Sequence, residues 1–110
     1  MIINFDELEE TVVQAFKGGT GEMRRRMVDD GHNKIMLNRL QPGATAGMHA
    51  HDDSSEIIYV LRGELGIVED GVRVRCPTGA LHYCPKGHSH AFGNPGKEEA
   101  VFLAIVPTQP

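Results

Sequence analysis

Along most of the chain, apolar residues fall in short runs separated by glycine, proline and aspartate, the punctuation of strands joined by tight turns. Segments 22–28 and 34–40 flank Asp29-Asp30-Gly31-His32-Asn33, a hairpin signal. Segments 56–61 and 64–68 meet at Arg62-Gly63, and 72–75 returns after Glu69-Asp70-Gly71. Pro77-Thr78-Gly79 precedes 80–84, Pro85-Lys86-Gly87 precedes 90–92, and 100–106 is the last strand. Short strands at this spacing predict an all-β sandwich or barrel. The opening stretch 5–16 reads differently. Asp6 with Glu9 three residues later resembles a capping box, and Phe5, Leu8 and Val12 share a helical stripe. A short N-terminal helix is expected there, although Thr11-Val12-Val13 also has strand propensity.

Two segments refuse to alternate. Ile57-Ile58-Tyr59-Val60-Leu61 and Val101-Phe102-Leu103-Ala104-Ile105-Val106 are apolar at every position, so both faces need cover. At 110 residues the chain makes one domain, 1–110, with a single modest core. One face can line a barrel, and a second subunit is the natural cover for the other. A homodimer is therefore expected.

Charge narrows the partners. A net charge of −4 argues against nucleic acid, and the one basic block, Arg24-Arg25-Arg26, reads as a strand with side chains alternating between faces. Cys76 and Cys84 form no disulfide framework and read as free buried thiols. Residues 1–6 lack a signal-peptide pattern and no apolar stretch is long enough to span a bilayer, so a cytoplasmic protein with no membrane partner is expected.

The histidines move the reading from fold to chemistry. His49 and His51 lie two residues apart on what reads as extended chain, so both imidazoles point to one face. Their alpha carbons would be about 6.5–7 Å apart, a separation that side chains can close around one ion. Glu56 lies an odd number of residues beyond His51, and straight extension would aim it away. The intervening Asp52-Asp53-Ser54-Ser55 has turn composition, and a bend there brings the carboxylate back. His90 must come from a distant strand folded alongside. Three imidazoles and one carboxylate are a ligand set of intermediate softness, open to Mn, Fe, Co, Ni, Cu or Zn. Asp52 and Asp53 read as turn residues, and His32 as an exposed hairpin residue.

These residues resemble a known family. Gly43, five residues, His49-Ala50-His51, four residues, Glu56, six residues and Gly63 follow the first cupin motif. Gly79, five residues, Pro85-Lys86-Gly87, two residues, His90, three residues and Asn94 follow the second. The gap between them is near the shortest that cupins use, and the chain resembles a small single-domain cupin with motifs at 43–63 and 79–94. The resemblance implies a jelly-roll barrel (a double-stranded β-helix) and an ion held by His49, His51, Glu56 and His90. Gly63, Gly79 and Gly87 look like the turn glycines of that family.

If Glu56 faces the ion, Ile58 and Val60 face inward too. On 80–84 the apolar pair Leu81 and Tyr83 is expected to point into the barrel, with Tyr83 a hydrogen-bond donor to ligand. The reverse parity would turn His82 inward as a general base. His88, two residues before His90, could overhang the site, though a loop position is the simpler reading. Tyr83, His82 and His88 are thus the candidate catalytic groups. Asn38 becomes a polar contact if its face is internal. Arg25 and Arg39 are the candidates for gripping a carboxylate, with a surface role the simpler expectation for each.

Four protein ligands leave room on a six-coordinate ion for a bidentate small molecule such as a hydroxy acid, diketone, catecholate or oxalate. The expected function is a metal-dependent enzyme on such a chelating substrate: an oxygenase, lyase, decarboxylase or isomerase. The alternative is a non-catalytic binding or sensing module with the same pocket. A purely structural metal is disfavoured, because structural sites are usually closed.

Overall fold

The computed structural model describes all 110 residues, Met1–Pro110. Ten strands carry the fold: β1 (Thr11–Gln14), β2 (Glu22–Asp29), β3 (Asn33–Leu40), β4 (Thr45–Ala50), β5 (Glu56–Arg62), β6 (Glu64–Glu69), β7 (Val72–Pro77), β8 (Leu81–Cys84), β9 (Ser89–Gly93) and β10 (Ala100–Pro107). A six-stranded sheet in the order β1-β2-β3-β10-β5-β8 faces a four-stranded sheet in the order β4-β9-β6-β7. Every pairing is antiparallel. From β3 onward the chain changes sheet at every connection except the β6–β7 hairpin. That alternation rolls the two sheets into the jelly-roll barrel that the cupin resemblance implied.

Strand alternation fills the interior. β5 turns Glu56, Ile58 and Val60 inward, and β10 turns in Ala100, Phe102 and Ala104, all buried. The opposite faces of the same strands are apolar as well. Tyr59 and Leu61 are 41% and 49% exposed, which is why these two strands showed no alternation in the sequence.

Asn94 and Gly43, one from each motif, meet at one end of the barrel. The Gly43 amide donates to the Asn94 carbonyl at 3.0 Å, and the Asn94 side chain donates to the carbonyls of Leu40 and Glu98 at 2.9 and 2.8 Å. At Gly63 the chain passes from β5 to β6 with φ of 74°, and a Cβ there would lie 3.3 Å from the Ala100 backbone. A left-handed backbone pressed against β10 requires glycine.

The N-terminal helix is corrected. Two 3-10 turns form, Phe5–Glu7 and Phe16–Gly18, and the Thr11–Gln14 segment between them pairs with β2 instead. The cap is Asn4, whose side chain accepts from the Asp6 amide at 3.1 Å, in place of the Asp6–Glu9 box. Arg26 then takes the carbonyls of Phe5, Asp6 and Leu8 at 3.1, 3.2 and 3.1 Å. Those acceptors are the ones a longer helix would have needed, and β2 offers Thr11, Val12 and Val13 a sheet edge that suits β-branched residues.

Candidate metal centre

β4 and β9 lie side by side in the smaller sheet, with His49 directly opposite His90. Ala46 and His49 both point inward although they are three positions apart, an odd step that a regular strand forbids. A register shift between the two absorbs the extra residue and re-aims the imidazole. His51 follows β4 and is clamped by the second motif's turn: its amide donates to the His88 carbonyl at 3.1 Å, and its carbonyl accepts from Gly87 at 2.6 Å.

Glu56 arrives from the larger sheet. Residues 52–55 make the expected bend, and the end of β10 anchors it. The Ser55 amide donates to the Pro107 carbonyl at 3.2 Å, and the Gln109 amide to the Asp53 carbonyl at 2.6 Å. The carboxylate emerges on the inner face, 6% exposed.

The four side chains converge. Oε1 of Glu56 lies 2.9 Å from Nε2 of His90, 3.0 Å from that of His51 and 3.7 Å from that of His49. Nε2 of His90 is also 3.1 Å from Nε2 of both His51 and His49. Behind each ring, Nδ1 has its own partner. His49 Nδ1 donates to the Gly47 carbonyl at 2.8 Å, His51 Nδ1 shares a hydrogen bond with Ser54 Oγ at 3.1 Å, and His90 Nδ1 meets His82 Nε2 at 3.0 Å. With its proton on the outer nitrogen, a neutral imidazole presents a bare lone pair at Nε2. Three lone pairs and a carboxylate oxygen facing one another repel unless a cation lies between them. The donor set therefore fits a divalent transition metal, and the outer partners orient its ligands as such shells do.

Burial alone pushes the Glu56 carboxyl up. Where His49, His51 and His90 carry a proton on Nε2 to donate, that contact outweighs burial and holds the group well below the usual carboxylate range; with those nitrogens bare, a cation is what keeps the carboxylate ionised. Burial, followed by the nearby His90, lowers the pKa of His82 and keeps that ring neutral, as acceptance from His90 Nδ1 requires. Burial, helped by Glu69, Glu56 and Asp70, pushes the Cys84 thiol up to about 11.

The candidate acid/base groups separate. On β8 the expected parity is reversed: His82 is 8% exposed and Cys84 fully buried, whereas Leu81 and Tyr83 are 59% and 49% exposed on the outer face. Apolarity misled because the outer face of this sheet is apolar too, with Tyr83 opposite Ile57 and Leu81 opposite Tyr59. His88 lies at the surface, its Nδ1 3.2 Å from Oδ2 of Asp70. Asn38 is internal. Arg39 is held by Glu10 and Glu99 at 2.6 and 3.3 Å. Ser54 and the Gly47 carbonyl were not singled out in the sequence. Their signal is proximity in the chain, a hydroxyl three residues after His51 and a glycine two before His49.

Comparison with known proteins supports the same fold. The cupin domain family matches residues 36–106, well over half the chain. An oxalate-binding protein of Thermotoga maritima is 30% identical over 112 residues, covering 96% of this chain and 93% of that protein. A crystal structure from the same organism, described as a predicted oxalate decarboxylase, superposes with a TM-score of 0.92 at 25% identity, covering 98% of this chain and 99% of the other. A sugar phosphate isomerase of the cupin superfamily from Silicibacter pomeroyi shares the fold, with a TM-score of 0.79 at 24% identity over 100% of this chain and 77% of its own. With both motifs, the two-sheet barrel and the family match in agreement, the chain belongs to the cupin domain family.

Proposed function

We propose that the protein binds a divalent transition metal through His49, His51, Glu56 and His90 and uses the remaining coordination positions to hold a small chelating acid of the oxalate class. The observation that carries this reading is the outward engagement of Nδ1 on all three ligand histidines, which leaves three Nε2 lone pairs and Glu56 Oε1 aimed at one point. The relative named for oxalate binding supports the choice of ligand class. Bound there, the metal supplies Lewis acidity to the ligand oxygens. The chain supplies the charge balance, the ring orientations and an apolar wall from Ile58 and Ala104.

Binding without turnover is the reading favoured by the disposition of the acid/base groups. Tyr83 is on the outer face, His88 is at the surface with Asp70, and His82 spends Nε2 on His90. The enzymatic reading, a decarboxylase or oxygenase on the same acid, rests on the open coordination positions and on the structural relative described as a predicted oxalate decarboxylase. The protein acts as a homodimer in either case, with a second copy covering the outer face of the larger sheet.

Elemental analysis of purified protein, with His51→Ala as control, tests the site. Wild type is expected to carry one transition-metal ion per chain and the variant almost none; stoichiometric metal surviving the substitution would falsify the ligand assignment. Mixing the loaded protein with oxalate and following its disappearance then separates turnover from binding.

A further inference from the structure

Arg25 and Asn38 face each other across β2 and β3. Directly opposed residues share a face, and this face is the barrel interior. Asn38 is 3% exposed and follows buried Met36 on the inner side of β3. Arg25 shares its parity with buried Met23 and with Met27, which packs against the core. Its neighbours point the other way and are occupied. Arg24 pairs with Glu22 at 2.7 Å, and Arg26 with Glu10 and three backbone carbonyls. Of the three arginines in this run, Arg25 is the one with neither an ion pair nor a hydrogen bond.

Asn38 is equally unpartnered. Its Oδ1 is buried with no donor within reach. Leaving such a group unpaired is destabilising, and an apolar residue of similar size would avoid that loss. The position of the pair gives the orphan a use. Three of the four metal-binding positions lie on β4 and β9 or just beyond β4, in the smaller sheet, and the larger sheet facing them places Met27, Met36, Asn38 and Ala104 on its inner side, with half-buried Arg25 at its margin. A cation and an amide, both lacking partners, stand on the inner wall of the larger sheet, level with Phe102 and Val60 and one side-chain row deeper in the barrel than Met36 and Ala104.

We propose that Arg25 and Asn38 are the acid-recognition pair of this site. A carboxylate-bearing chelator takes hydrogen bonds from the Arg25 guanidinium and from Asn38 Nδ2, and the guanidinium, with five donors in a planar fork, also donates to the orphaned Oδ1. The inference rests on the metal-dependent acid binding proposed above and adds to it the groups that select an acid over a neutral chelator. The pair belongs to the specificity of the ligand and leaves the metal ligands untouched.

Calorimetric titration of manganese-loaded wild type, Arg25→Met and Asn38→Leu with oxalate and with acetohydroxamate tests this. Acetohydroxamate chelates through two oxygens and has no further carboxylate oxygen to offer. Each variant is expected to bind oxalate about tenfold more weakly or worse, with acetohydroxamate affinity and metal content unchanged within about twofold. Asn38→Leu is also expected to melt at the same or a higher temperature than wild type, since it deletes an unpaired amide. Unchanged oxalate affinity in both variants, or an equal loss for both probes, overturns the pair as an acid-recognition device. So does a lowered melting temperature for Asn38→Leu with oxalate affinity intact, which assigns Asn38 to structure. Failure of loaded wild type to bind oxalate at all removes the underlying reading instead, so the two failures are told apart.

Discussion

At the scale of single residues, His82 is the most consequential side chain that binds nothing itself. Its Nε2 accepts from His90 Nδ1, so it selects the tautomer that leaves His90 Nε2 bare. Replacing it with alanine removes that constraint and opens a cavity behind the ring, stacked 5.2 Å away. Metal affinity of His82→Ala is expected to fall by about 10–100-fold, and His82→Gln, whose amide oxygen can still accept, should recover part of the loss. Competition with a chelating dye reads this directly. Equal affinity in all three proteins would mean that His90 needs no such partner. The same residue marks a limit of the sequence. The spacing of His49, His51, Glu56 and His90 made the ligand set readable, because each falls at a fixed offset within a motif. The role of His82 was not readable, since strand parity was argued from apolarity, and β8 borders apolar surroundings on both sides.

At the scale of elements, the turns place the ligands and the strands carry them. Glu56 reaches the centre because residues 52–55 bend, and His49 because a register shift re-aims β4. The bend was legible from its aspartates and serines. The shift was less so: Gly47 inside β4 is its one local sign, and the pairing with β9 decides where it falls. The same holds at the N-terminus, where helix and strand signals overlapped and the edge of β2 decided between them. Asn94 shows how the two motifs are tied into one unit. Its buried amide bridges Leu40 and Glu98, and its Oδ1 accepts from Gly96 at 2.9 Å. Asn94→Ala is expected to destabilise the fold by about 2–3 kcal/mol, since it strands two carbonyls and one amide. Chemical denaturation measures this. A change below about 0.5 kcal/mol would show that water replaces those contacts without cost.

At the scale of the whole molecule, the outer face of the larger sheet is the feature that a single chain does not resolve. Leu103, Ile105, Ile57, Tyr59, Leu81 and Tyr83 are cross-strand neighbours on β10, β5 and β8 and make one continuous apolar surface. Isolated surface apolar residues are ordinary, but a contiguous patch marks an interface. Sedimentation is expected to give the mass of two chains for wild type and of one for Tyr59→Glu, with each monomer still folded. A monomeric wild type would leave the patch without its partner. This surface was legible in the sequence as two strands with no polar positions, the residues that now define its centre.

The attachment of residues 52–55 to the end of β10 reaches further than its hydrogen bonds suggest. Pro107 and Gln109 hold the bend that delivers Glu56, so the backbone at the end of β10 is a control point for the charge at the centre. A substitution that displaces Pro107 or Gln109 is therefore expected to act on the metal centre through Glu56, from a strand that carries no ligand.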